Sequence, residues 1–317
     1  MIFKQKYKEF CKIEEDIPIF SKDWWLDAVC GEENWDVVLI EKNKNIIASM
    51  PYYKIKKVGF DLISMPQLTQ TMGPYIKYPE GQKYHNKLSL EKKITNELIE
   101  KLPKFDKFSQ TFHYNITNWL PFYWNNFEQT TRYTYVIEDL SNLENVFNNF
   151  DLSKKQNIKK AEKIVDIKFD LSARDFYENH KMTLLKQNDT ITYSFELFES
   201  IYNSGYKHNS AKTIYAIDKV GNIHAALFVV WDQNSAYHLL NTVDPDFRNS
   251  GTASLLTREI IKFVSTKTKK YDFEGSMIEN VESSFRKFGA IQKPYFQITK
   301  KNSKILKIRQ LIKEIIK

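Results

Sequence analysis

The chain has 317 residues, 42% of them hydrophobic and 15% aromatic, with only 9 Gly and 9 Pro; this excludes collagen-like and low-complexity chains and predicts two domains of about 150 residues each. The net charge is +8, but residues 300–317 hold seven Lys/Arg against one acid, a net +6, so the rest of the chain is nearly neutral. Basic residues are not spread over a face or groove, which argues against DNA binding and for a local anion contact or a solvated terminal helix.

The start of the chain shows no apolar signal region. The longest apolar run, His224–Trp231, suits a buried strand and is too short for a bilayer. Cys11 and Cys30 have no metal-ligand spacing, and neither do the six histidines. The expectation is a cytoplasmic protein with free thiols and no metal.

Ser21 to Cys30 reads as a short helix, with Ser21 as N-cap and Gly31 just past its end. Residues 36–40 and 46–53 read as a hairpin about a polar turn, and residues 59–65 as a third strand. That strand leads into the loop Pro66-Gln-Leu-Thr-Gln-Thr-Met-Gly-Pro74. A helix is predicted over 90–102 behind Ser89, and a strand over 108–114. The second half runs in the same order. It has a basic helix over 154–165, a helix over 195–206, a hairpin of 213–217 and 223–231, and a third strand over 236–242. An amphipathic helix follows over 251–265, with Leu255, Leu256, Ile260, Ile261 and Val264 at helical spacing. Strands are expected from Tyr271 and over 296–299. Leu39–Met50 aligns with Ala216–Leu227 without a gap at an offset of 177 residues, which predicts a duplicated unit. The same offset sets the Pro66–Pro74 loop against Val243–Gly251.

Arg248-Asn-Ser-Gly-Thr-Ala253 lies between a strand and an amphipathic helix. It fits the pattern Arg/Gln-x-x-Gly-x-Gly/Ala, in which backbone N–H groups at a helix start cradle a pyrophosphate. Val243, Arg248, Asn249, Ser250, Gly251, Thr252 and Ala253 are the donor-binding candidates. The plain alternative is a capped helix start. In Tyr271-Asp-Phe-Glu-Gly-Ser276, Asp272 and Glu274 would share one face of a strand. A partly desolvated carboxylate there could take a proton from an attacking amine. Glu274 is the first choice, because Gly275 leaves room beside it; the alternative is an ion pair with Arg286 or Lys287. His238 is a third catalytic candidate, weighed against a hydrogen-bonded core histidine. Asp244-Pro-Asp246 reads as a turn. In the helix Lys154–Lys163, Lys155 and Lys159 share a face that could hold phosphates, or simply face water.

These segments, with Trp24-Trp-Leu-Asp-Ala-Val29 and Phe285-Arg-Lys-Phe-Gly-Ala290, resemble FemAB-type, BioF2-like members of the GNAT superfamily, from Trp24 to Phe296. The resemblance implies an α/β (α+β) fold of two tandem GNAT-like domains, each a mixed, mostly antiparallel sheet flanked by helices. Domain boundaries are placed at 1–130, 131–299 and, for a basic amphipathic C-terminal helix, 300–317. The resemblance also implies a cleft mainly in the second domain. Gln67, Thr69, Gln70, Arg286 and Tyr295 join Lys155 and Lys159 as substrate-binding candidates. Where Lys159 stands the family usually carries arginine, so the bidentate grip on phosphate is lost.

The resemblance implies a bacterial transferase acting on envelope or surface-polysaccharide precursors. The kept Arg248-x-x-Gly-x-Ala points to N-acyl transfer from acyl-CoA, acetyl-CoA first, to an amino sugar. The alternatives are a FemX-like ligase that takes its amino acid from aminoacyl-tRNA, and a non-catalytic binding protein. In the tail, Ile305, Ile308, Ile312, Ile315 and Ile316 recur at helical spacing among Lys304, Lys307, Lys313 and Lys317. Its apolar face is expected to dock on the protein body, the alternative being an anionic membrane at the inner face.

Overall fold

The computed structural model describes residues 2–275 and 277–315. Ser276, Ile316 and Lys317 lie outside the described residues, as do the side chains of Lys313 and Ile315. In chain order the first elements are α1 (Ile2–Ile13), α2 (Asp23–Cys30), β1 (Trp35–Lys42), β2 (Asn45–Lys57), β3 (Phe60–Ser64), β4 (Tyr75–Ile76), α3 (Tyr84–Glu100), β5 (Lys107–Thr111), α4 (Leu120–Trp124) and β6 (Glu128–Ile137). There follow α5 (Leu143–Asn148), α6 (Leu152–Ala161), β7 (Asp166–Phe169), α7 (Ala173–Leu185), α8 (Phe195–Lys207), β8 (Ala211–Ile217), β9 (Ile223–Trp231) and β10 (Ser235–Val243). The last are α9 (Thr252–Val264), β11 (Lys270–Asp272), α10 (Glu279–Arg286), β12 (Ile291–Lys301) and α11 (Lys304–Ile315). The chain forms two compact units: Met1–Arg132 with Pro294–Lys317, and Tyr133–Lys293.

In unit 1, β1 and β2 form an antiparallel hairpin, β3 adds antiparallel to β2, and β5 adds parallel to β3. The C-terminal strand β12 then pairs antiparallel with β5, with Gln297 opposite Thr111. Unit 2 has the same order. β8, β9 and β10 are antiparallel neighbours, β11 is parallel to β10, and β6 is antiparallel to β11. The 177-residue offset therefore marks a repeated strand topology. Even the hairpin irregularities correspond within one residue, at Ile40/Glu41 and at Ala216/Ile217. This is the expected fold class, a mixed α/β architecture of mostly antiparallel sheets flanked by helices.

The run His224–Trp231 is continuously buried because helices cover both faces of β9. Leu227 and Val229 meet the α9 stripe of Leu255, Leu256, Ile260, Ile261 and Val264, together with Ile158 and Ala161 of α6. On the other face, Phe228 packs edge-on against Phe198, which stacks on Phe176 at 5.2 Å. Cutting one α9 leucine to alanine costs about 2–5 kcal/mol by the usual cavity effect. In unit 1, Ile94 and Leu98 of α3 pack on Val38, Ile40, Ala48 and Met50, with Phe108, Phe112, Phe122 and Phe127. Helix α1, which the sequence reading did not anticipate, buries Tyr7 and Phe10 with Trp35, Val37 and Leu39.

Several local expectations change. Helix α2 starts at Asp23 with Lys22 as N-cap, and the Ser21 carbonyl instead accepts from the Tyr7 hydroxyl at 2.6 Å. Ser89 lies inside α3, its hydroxyl donating to the His85 carbonyl. Cys11 and Cys30 are free and buried, and burial pushes both thiols up to about 12, so they are inert. No described helix is long and apolar enough to cross a membrane. Ile305, Ile308 and Ile312 of α11 are 56%, 58% and 49% exposed, so the face expected to dock is not covered at these residues.

Candidate functional site

The parallel pairing of β10 and β11 covers only Ser235–Tyr237 against Lys270–Asp272. β11 then ends, while β10 continues to Val243 past a bulge between Tyr237 and Leu240. The catalytic candidates fall at this end of the short strand. Phe273 still donates its N–H to Tyr135 of β6, at 2.9 Å. The next two residues turn left-handed, Glu274 at φ 60° and Gly275 at φ 66°. For a glutamate this backbone costs about 1 kcal/mol or more. It is held by Asp272, whose Oδ1 accepts both the Glu274 N–H at 2.7 Å and the Thr134 hydroxyl. Asp272 is buried, and that burial lifts its carboxyl to about 6 in spite of the two donors. Glu274 is 9% exposed.

Asp272 and Glu274 therefore do not share a strand face. The extended backbone stops between them, and period-2 alternation stops with it. The room beside Gly275 is also taken: a Cβ there would lie 2.0 Å from the Tyr133 carbonyl oxygen. Arg286, one of the two basic residues weighed as an ion-pair partner for Glu274, is exposed and faces Glu282 at 3.7 Å.

His238 belongs to an aromatic stack. Its ring lies 5.8 Å from Phe273, which stacks on Phe288 at 5.3 Å, and the Lys154 ammonium sits 4.3 Å over the Phe288 ring. His238 Nδ1 meets the Tyr271 hydroxyl at 2.8 Å, and burial presses the imidazole down to about 3. Burial thus favours the neutral imidazole, and among the described residues its Nε2 has no hydrogen-bond partner. Lys154 donates to the Ser284 hydroxyl at 2.8 Å, and burial, then the charge of Lys287, lower its ammonium to about 8.

The loop between β10 and α9 is a 3₁₀ turn over Pro245–Ser250, capped by Asp244, which accepts from the Asp246 N–H. Lys186 bridges Asp244 and Asp246 at 2.8 and 2.5 Å, so this acid pair is a turn neutralised by a lysine. Arg248 donates to Gln187 at 3.1 Å, and the Asn249 carbonyl accepts from Lys160 at 2.6 Å. Ser250 and Thr252 are buried and bond each other through their hydroxyls, and Val243 pairs with Ala225. Ala253 is half-buried. Gly251 takes φ 83°, and a Cβ on it would lie 2.3 Å from the Asn157 carbonyl oxygen of α6. The glycine is thus required by helix packing. Gly251→Ala is expected to lower the melting temperature by several degrees through this clash and the positive φ, with or without a donor, as read by differential scanning calorimetry.

The remaining substrate candidates lie on several elements. Lys155 donates to the Asn148 carbonyl at 2.8 Å, and Lys159 is exposed. Gln67 and Gln70 are exposed in unit 1, while Thr69 is buried and accepts from the Trp25 indole N–H at 3.0 Å. That bond joins α2 to the Pro66–Pro74 loop, two of the segments that carried the resemblance. Tyr295 is half-buried on β12. A 350 Å³ cleft in unit 1, lined by Trp35, Asp36, Tyr52, Lys54 and Asp61 among others, involves none of these candidates. No group of three potential metal ligands occurs among the described residues. Thr134 is 138 residues from Asp272, and nothing local in the sequence marks it; Lys154 stands out there only as one lysine of the basic helix.

No protein-family model matches the chain, and no curated protein matches it by sequence. Solved structures do match in fold. The crystal structure of FemX is 12% identical and aligns over 93% of this chain and 96% of its own, with a TM-score of 0.68. The C-terminal domain of a putative lysylphosphatidylglycerol synthetase from Agrobacterium fabrum is 11% identical over 94% of this chain and 92% of its own, with a TM-score of 0.55. L-PGS from Bacillus licheniformis is 10% identical over 98% and 96%, with a TM-score of 0.52. The FemAB-type resemblance is thus matched at the level of the fold over nearly the whole chain.

Proposed function

We propose that this chain transfers an acyl or aminoacyl group to an amine, with unit 2 carrying the chemistry. The observation that carries the reading is the turn at Glu274. A carboxylate is held at a left-handed backbone position by a buried acid, at the end of a strand that stops beside a longer parallel neighbour. Strain of this kind persists where the surroundings fix it, and it concentrates at functional sites. The fold shared with FemX and with the C-terminal domain of a putative lysylphosphatidylglycerol synthetase supports this reading.

In the proposed reaction the acceptor nitrogen attacks the donor carbonyl. Glu274 takes the proton lost by the amine and passes it to the leaving sulfur or oxygen as the C–S bond of a thioester or the C–O bond of an ester breaks, so the donor departs as thiol or alcohol. Backbone N–H groups near Val243 hold the developing oxyanion. Asp272 acts through Glu274 as a positioning residue. The acceptor is an amino sugar or a related envelope precursor.

Acyl-CoA is supported as donor by the Arg248–Ala253 loop at the start of α9. One observation favours an aminoacyl ester instead: Asn157 packs against Gly251, and Lys160 engages the Asn249 carbonyl, on the loop where a pyrophosphate would rest. The test is a thermal shift of the full chain with acetyl-CoA, aminoacyl-tRNA and UDP-amino sugars, followed by mass spectrometry for an amide product. A donor at a hundred times its Kd stabilises by about 2.7 kcal/mol. A shift with acetyl-CoA alone selects the thioester, and one with aminoacyl-tRNA alone selects the ester. No shift and no amide with any donor would overturn the proposal.

A further inference from the structure

Unit 1 displays two apolar surfaces that its own core leaves uncovered. The first is α4, where Leu120, Tyr123 and Trp124 are 47%, 57% and 53% exposed. The ammonium of Lys92, on the neighbouring α3, lies 5.0 Å over the Trp124 ring. The second is α11, whose exposed Ile305, Ile308 and Ile312 fall on one face at spacings of three and four residues, with Lys304 and Lys307 exposed beside them.

The strand that leads into α11 meets the end of α4. Lys300, at the end of β12, donates to the Asn125 carbonyl just past α4 at 2.8 Å and lies 4.8 Å over the Phe127 ring. Its ammonium is lowered first by burial and then by the charge of Lys307. The Asn125 amide in turn donates to Asn96 of α3 at 2.9 Å, which fixes α4 against the helix carrying Lys92.

We propose that α4 and α11 together form a docking face for an anionic lipid surface. Tyr and Trp prefer the headgroup level, where an apolar ring and a polar edge are both satisfied. An amphipathic helix with isoleucines on one side and lysines beside them lies in the same layer, its lysine stems buried and its ammonium groups among the phosphates. Charge complementarity selects this occupant. The tail from residue 300 carries a net +6, so a second copy of the chain would set like charge against like charge. A nucleic acid would use the lysines but leave the isoleucine stripe in water. The inference is independent of the donor and the acceptor.

The test is co-sedimentation of the full chain with vesicles of equal parts phosphatidylglycerol and phosphatidylcholine at low salt. Binding is expected there, with little to phosphatidylcholine alone and a steep loss at high salt. Lys304→Glu with Lys307→Glu is expected to weaken binding roughly tenfold or more. Ile305→Ser with Ile308→Ser, and separately Tyr123→Ala with Trp124→Ala, should each do the same. All six side chains are exposed or near the surface, so melting temperatures should hold. Failure of the full chain to bind phosphatidylglycerol vesicles overturns the proposal. It is equally overturned if binding survives all three paired variants. A dimer dissolved by the isoleucine pair, or retention of tRNA lost in the lysine pair, in either case without vesicle binding, reassigns the face and overturns it too.

Discussion

Glu274→Gln is expected to lower turnover about a hundredfold while leaving donor affinity unchanged, the signature of a lost general base. The change is nearly isosteric and makes the same demand on the left-handed backbone, so the turn and its hydrogen bond to Asp272 should persist. Steady-state kinetics of amide formation, with a parallel melting curve, check this. Activity that survives alongside a lowered melting temperature would make Glu274 a structural residue. The companion result matters as much. Asp272→Asn keeps an oxygen to accept from Thr134 and from the Glu274 N–H, so its turnover should fall far less. If the order is reversed, Asp272 is the base and Glu274 its support.

Asp272→Asn is expected to stabilise the protein at neutral pH. Burial raises the folded carboxyl to about 6 from an ordinary 3.8. Folding therefore favours the protonated form, and this contribution is complete below pH 3.8 and is lost as pH rises through 6. Above that, the folded state carries a buried carboxylate. Each tenfold loss of acidity corresponds to about 1.4 kcal/mol, so the charge costs the folded state about 3 kcal/mol. Asparagine has no such charge. The variant should gain up to that amount at pH 7 to 8 and nothing near pH 4, as read by urea unfolding across the range. A wild-type chain whose stability relative to the variant does not fall between pH 4 and 7 would show that Asp272 carries no costly buried charge.

Local pattern was legible in the sequence. The paired hairpins show as apolar runs broken by polar turns, and the α9 stripe as 3.6-residue spacing. The repeat shows as an ungapped offset of 177 residues, because strands and helices are set by short-range periodicity. The FemAB-type resemblance rested on the order of segments, and it gave the fold class. What tertiary structure decided was where each marked residue points. In the basic helix it is Lys154 that turns inward onto Phe288, while Lys155 caps a carbonyl and Lys159 stays in water. A Cβ on Gly251, a residue of the candidate pyrophosphate loop, would meet the Asn157 carbonyl, and one on Gly275 would meet Tyr133. Neither contact can be read locally, since the partner lies on a distant element. Asp272 and Glu274 were expected to act side by side, but β11 stops after three residues and the chain reverses hand. The clamp on that turn comes from Thr134 of β6. β12, near the other end of the sequence, completes the sheet of unit 1. Periodicity fixes which residues are buried. It carries no information about which distant strand supplies the neighbour, and that pairing determines what a buried carboxylate or a bare glycine is for.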